Sequence, residues 1–211
     1  MMRHLLRAGV LVLFGCGGDS DGLPFYRNSA LTPEWPGASD HTASAMHRVL
    51  AFELRNQHGA VVRDSILDGR VSIVHFFFAT CGGVCPSTRA NISRLLRSLP
   101  DSNIVVLSHS VQPEKDTVAA LDAYAAMHGI RDPRWQLLTG MPTEMQRLAR
   151  ESYFVNLNDG RSYGSDRLAH TETVVLVDGA RRIRGVYNGT LRLDMERLRD
   201  DIVVLRASDR S

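Results

Sequence analysis

Cysteine is scarce in this chain of 211 residues: there are three, and no second pair accompanies Cys81 and Cys85. A closed structural zinc site usually needs four protein ligands, and no second cysteine pair is at hand to complete one. Lysine-rich stretches are absent and the arginines are spread along the chain, so nucleic acid binding has little support. No apolar run is long enough to span a bilayer, the N-terminal run Ala8 to Phe14 included. No internal repeat is visible.

What is present is concentrated in the run His75-Phe-Phe-Phe-Ala-Thr-Cys-Gly-Gly-Val-Cys-Pro86. The strand-like run Val71 to Phe78 precedes it and the helix-like run Ser87 to Leu99 follows, which makes a strand-to-helix junction. A helix starting within the motif would put both sulfurs on one face, about one turn apart. The positive helix end also favours thiolates, the form that binds metal and attacks disulfides. Two such thiolates are half of a soft-metal site, or a redox pair.

Arg3, His4 and Arg7, the apolar run Ala8 to Phe14 and Gly15-Cys16 follow the order of a secretory signal peptide. Leu13-Phe14-Gly15-Cys16 also resembles a bacterial lipobox, with phenylalanine an imperfect fit. It implies cleavage before Cys16 and a lipid on that cysteine. The expected organisation is a signal peptide over 1–15, a lipid-anchor cysteine with a flexible tether over 16–45, and one domain over 46–207. Loss of residues 1–15 brings the formal charge from +2 to about neutral. The expected location is outside the cytoplasm, in the periplasm or cell envelope, anchored to a membrane through Cys16, where thiol pairs tend to oxidise.

Along the domain, Val49 to Leu54, Val71 to Phe78, Ile104 to Ser108 and Trp135 to Leu138 read as strands, with a turn near His58-Gly59. Ser87 to Leu99, Glu114 to His128, Thr143 to Glu151 (with Thr143 as its N-cap) and Leu191 to Leu205 read as helices. Thr173 to Val177 and Ile183 to Tyr187 form a hairpin around Asp178-Gly179. This order predicts an α/β, thioredoxin-like fold, a central mixed sheet with helices on both faces. That fold keeps its reactive pair at the strand-to-helix turn occupied by the cysteines.

Three stretches resemble the Sco/SenC family of copper-binding, thioredoxin-like proteins that serve cytochrome c oxidase assembly. They are Phe77-Phe-Ala-Thr-Cys81-Gly-Gly-Val-Cys85-Pro86, Ser110-Val-Gln-Pro-Glu-Lys-Asp116-Thr117, and His170 ahead of the strand ending in Asp178. Gly82 stands where the family usually has proline, and Gln112 where it usually has aspartate; neither change removes a ligand. The resemblance implies a copper ion held by Cys81, Cys85 and His170. It also implies a metallochaperone whose partner is the copper A subunit of a cytochrome c oxidase or another copper chaperone. The ligand chemistry agrees: soft thiolates suit Cu(I), and adding an imidazole suits Cu(II) as well. Whether the chain is also an enzyme is left open. The alternative is an extracytoplasmic thiol-disulfide oxidoreductase acting on cuproprotein cysteines. Against a general thioredoxin stand the Cys-x-x-x-Cys spacing and the lack of any proline after Pro142.

Other candidates have plainer readings. His75 reads as a core residue or a neighbour of the ligands, and His109 as a residue near the site. His41, His47, His58 and His128 read as surface or loop positions. Asp116 and Glu114 read as first-turn helix acids. Phe76, Phe77, Phe78, Trp135 and Met145 read as core, and Met141 as core or loop rather than a soft ligand.

Overall fold

Val71–Phe77 and Ile104–Ser110 are the two strands buried at every position. Near-continuous apolar runs of this kind mark strands covered on both faces. They form β3 and β4 at the centre of a seven-stranded sheet in the computed structural model, which describes residues 22–35, 46–99, 103–155 and 172–208. The other strands are β1 (Glu53–Asn56), β2 (Val61–Arg63), β5 (Trp135–Thr139), β6 (Thr173–Val177) and β7 (Ile183–Asn188), and the sheet order is β2-β1-β5-β4-β3-β6-β7. β3, β4 and β5 run parallel, while β1, β2, β6 and β7 join antiparallel, so the sheet is mixed as expected.

The helices are α1 (Cys85–Ser98), α2 (Val118–His128), α3 (Pro142–Arg147) and α4 (Arg192–Ser208), with α3 widening into a looser turn over Leu148–Ser152. Strand alternation divides the core into two layers. Val71, Ile73 and Phe77 meet Ile92, Leu95, Leu121 and Leu198 of α1, α2 and α4 on one face. Val74, Phe76, Val105 and Leu107 meet Met145, Leu148 and Tyr153 on the other. Helices therefore cover both faces.

Several boundaries differ from the sequence reading, each for a local reason. β1 begins at Glu53, because Val49 is tied instead to Arg181, its N–H donating to that carbonyl at 2.9 Å. Gly59 does turn the chain, at φ +77, and Asn56 Oδ1 accepts the N–H groups of His58 and Ala60. That turn leads into β2, three residues that carry too little pattern to be read. α2 starts after Thr117, whose hydroxyl caps Ala120 N–H, and not at Glu114. Met141, not Thr143, occupies the N-cap of α3, with Pro142 opening the helix.

Residues 22–35 fall within the stretch read as tether, yet they lie against the domain. Tyr26 N–H donates to Ile183 O at 3.2 Å on β7. The buried Arg184 donates to Leu23 O and Pro24 O and sits 3.9 Å from the Phe25 ring centroid. At the opposite edge, β2 is three residues long.

Candidate metal centre

β3 delivers the chain to the cysteine loop and α1 carries it away, beginning at Cys85 itself. Cys81 therefore lies in the loop before the helix and not on its face. The two cysteines still converge, with Cα atoms 5.9 Å apart and the sulfurs joined as a disulfide. Cys85 is buried and Cys81 half-buried, with Gly82 and Gly83 exposed between them. A Cβ at either glycine would meet nothing within 4 Å, and neither has a positive φ, so the loop does not demand glycine. The missing proline at position 82 costs no packing. Val84 caps α1 without a side-chain hydrogen bond and Pro86 sits in its first turn, so the open helix end begins at Cys85 itself.

The loop is braced from below by the segment after β4. Both carboxylate oxygens of Asp116 lie within 3.3 Å of Ala79 N, two residues before Cys81. Ser110 Oγ donates to Asp116 Oδ2 at 2.6 Å, and Val111 N–H donates to Phe77 O. Gln112 O accepts the N–H groups of Lys115 and Asp116, turning the carboxylate back toward the loop. Burial raises the Asp116 pKa, while Ser110 and the Ala79 N–H pull it the other way. Asp116 is thus a buried support and not a first-turn helix acid; Glu114 is simply exposed. Asp116→Ala strands the half-buried Ala79 N–H and the buried Ser110 hydroxyl and is expected to lower stability by about 1–3 kcal/mol in urea unfolding, with Asp116→Asn losing less. An alanine variant as stable as the parent would remove the brace.

Beneath Cys85 a space of about 10 Å³ is lined by His75, Phe77, Ser108, Tyr124 and Trp135 among others. Trp135 Nε1–H donates to Ser108 Oγ at 2.8 Å, and Ser108 Oγ lies 2.6 Å from His75 Nε2. Burial pushes the His75 pKa down to about 4. His75 is therefore a neutral, hydrogen-bonded residue behind the cysteine, as the core reading has it.

His109 is not near the site. Strand alternation turns it to the other face, against Phe76, Phe52 and Tyr153, where it is fully buried and neither ring nitrogen has a hydrogen-bond partner. Burial takes its pKa to about 3. His47 is half-buried, its Nε2 2.8 Å from Ser152 O; His58 is exposed, and His128 closes α2. Met141 is exposed, whereas Trp135, Phe76, Phe77 and Met145 are core.

His170, Cys16 and His41 lie outside the described residues. Among the described residues no group of three His, Cys, Asp or Glu could hold a metal, so the visible donors are the two sulfurs. The chain does enter β6 at the cysteine end of the sheet. Val174 pairs with His75, and Asn91 of α1 donates to Gly189 O beside Glu172. Gly189 is required there, since a Cβ would come within 2.8 Å of Val174 and Thr88 side chains. No helix among the described residues is long and apolar enough to cross a membrane.

The comparisons with known proteins agree with this geometry. The family described as SCO1/SenC matches residues 40–204. The SCO1 protein homolog of Bacillus subtilis (strain 168) is 30% identical over 146 residues, covering 68% of this chain and 75% of that relative. The solved structure of BsSco, a member of the Sco family of cytochrome c oxidase assembly proteins with an identified disulfide switch, is similar at a TM-score of 0.65 and 25% identity. It covers 77% of this chain and 94% of that one. Bradyrhizobium japonicum ScoI, solved with copper bound, is similar at a TM-score of 0.62 and 27% identity, covering 75% and 99%. The fold is accordingly thioredoxin-like, and the chain belongs to the SCO1/SenC family.

Proposed function

We propose that this protein is a copper carrier that binds the ion through Cys81, Cys85 and His170 and serves assembly of the copper A site of a cytochrome c oxidase. The observation that carries the reading is the convergence of Cys81 and Cys85 on a braced loop at an open helix end. Support also comes from the similar ScoI of Bradyrhizobium japonicum, solved with copper bound. Arrival of the chain into β6 at the cysteine end of the sheet is consistent with a third ligand from the segment before it.

As a disulfide the sulfurs cannot serve as thiolates. Loading begins when a dithiol reductant supplies two electrons and two protons, splitting the S–S bond to two thiols. Copper then takes the two sulfurs as their protons leave, and the imidazole of His170 completes a set suited to both oxidation states. Asp116 and the buried Trp135–Ser108–His75 chain keep the loop and the base of Cys85 in place. Lipidation of Cys16 would hold this chemistry at a membrane outside the cytoplasm.

The second reading, a thiol-disulfide oxidoreductase, is favoured by one observation. The pair is oxidised and unequally exposed, with Cys81 open to a partner and Cys85 placed to resolve the mixed disulfide.

Copper titration of the reduced full chain separates the two. One equivalent of Cu(II) with intense thiolate-to-copper charge-transfer bands is expected. His170→Ala is expected to weaken Cu(II) binding by at least about 10-fold while sparing some Cu(I) binding by the thiolates. Unchanged Cu(II) affinity in that variant would remove His170 from the site. No stable copper complex, with fast reduction of a disulfide substrate, would favour the oxidoreductase.

A further inference from the structure

Helix α1 carries Arg89, Arg94 and Arg97 and no acidic residue. Between it and the connection from α2 to β5 lies a cleft of about 420 Å³, lined by Arg89, Arg97, His128, Arg131, Ile130 and Trp135, with Leu96 among the further apolar residues. None of the three lining arginines has a carboxylate partner among the described residues. By contrast Arg192, Arg197 and Arg199 of α4 each pair with an acid of their own helix. The one carboxylate lining the cleft, Asp132, is held at 2.6 Å by Arg134. Arg89 is fixed from behind, donating to Tyr124 Oη at 3.1 Å and lying 5.8 Å from the ring centroid. It lines both this cleft and the space behind Cys85, so the two are contiguous.

We infer that this cleft is the docking site for an acidic segment of the protein that exchanges copper with Cys81 and Cys85. The inference rests on the carrier reading and adds the chemistry of the partner. Three uncompensated guanidinium groups favour Asp or Glu, by steering and by hydrogen bonding. The apolar surface of Leu96, Ile130 and Trp135 accommodates an aliphatic side chain between those acids. Because Arg89 follows Cys85 by one helical turn, the end of a segment seated along α1 that lies nearest Arg89 is within reach of the cysteine loop.

The probe is a ten-residue peptide of repeated Asp-Glu-Leu-Asp-Glu, followed by fluorescence anisotropy with the full chain at low salt. Arg97→Glu combined with Arg131→Glu is expected to weaken binding by about tenfold or more, since both side chains are exposed and reverse their charge at the cleft. Arg150→Glu, a control in the exposed turn that follows α3, is expected to stay within about twofold, because it lies on the opposite face of the sheet from α1. Equal losses in the two proteins, or equal binding of an Asn-Gln-Leu-Asn-Gln repeat, would overturn the proposal. So would arginine-dependent binding of phosphatidylglycerol vesicles without peptide binding, which would assign the cleft to a lipid surface. The same samples are titrated with copper. A double variant that takes copper normally but not the peptide supports the docking site. A parent chain that takes no copper would sink the carrier reading by itself, and this partner assignment with it.

Discussion

Acidification from pH 7 toward pH 4 is expected to destabilise the fold by up to about 1.4 kcal/mol per pH unit for each of His75 and His109. Both are buried and neutral, with pKa values taken from the ordinary 6.5 to about 4 and about 3. Between those values and 6.5 the unfolded chain binds more protons than the folded one. Stability is therefore fully present above about pH 6.5 and falls as pH drops. Asp116 acts in the opposite sense, since burial raises its pKa and the folded state holds its proton more readily. One carboxyl does not offset two histidines. Against a total stability of roughly 5–15 kcal/mol, a loss accumulating over two pH units is large. Urea unfolding at a series of pH values reads it directly. His109→Phe, which places a ring of similar shape against Phe52, Phe76 and Tyr153, should remove about half of the slope. A pH profile that is flat from 7 to 4.5 would contradict the assignment of neutral buried histidines.

The second large effect is at the cysteines. Cys81→Ser or Cys85→Ser is expected to lower affinity for either copper oxidation state by more than about 100-fold, beyond the 10–100-fold cost of losing an outer-shell partner. A serine hydroxyl is a hard donor that stays protonated at neutral pH, so the remaining single thiolate cannot hold the ion tightly. The two variants should differ in fold stability. Cys85 is in the core with Phe77 and Ile92, whereas Cys81 only packs against its rim. Serine at position 85 buries a hydroxyl there and is expected to cost about 1–3 kcal/mol more than serine at position 81. Copper affinity and urea unfolding on both variants test the two halves separately. Tight binding by either serine variant would remove that sulfur from the site.

The parts of the fold legible in the sequence are those with long patterns. β3, β4 and α1 announce themselves through continuous apolar runs and a regular helical face, and with them the junction that holds the cysteines. The family signature runs through the same residues. What escaped was set by contacts between distant segments. Asp116 reads as a helix acid when the helix is taken from Glu114, but α2 starts only after the cap Thr117. Its partner Ala79 lies across the β3–α1–β4 crossover and Ser110 ends β4 before the turn, relations that spacing does not reveal. His109 looked close to the site because it ends a strand pointing there, but the alternation that puts Ser108 beside His75 necessarily sends His109 to the opposite layer. The cationic cleft escaped as well, because Arg89 and Arg131 are separated by 42 positions and meet only when α1 and α2 pack side by side.

The segment laid along β7 has a consequence for how these molecules behave in company. A sheet normally ends in strands whose free N–H and C=O groups invite a second molecule to add its own. Here the start of one marginal strand is covered by Tyr26, Phe25 and Arg184, which holds Leu23 and Pro24, and the other marginal strand is only three residues long. A neighbour adding a strand would meet this cover at one margin and a very short strand at the other. Both features work against a neighbour's strand extending this sheet at its margins.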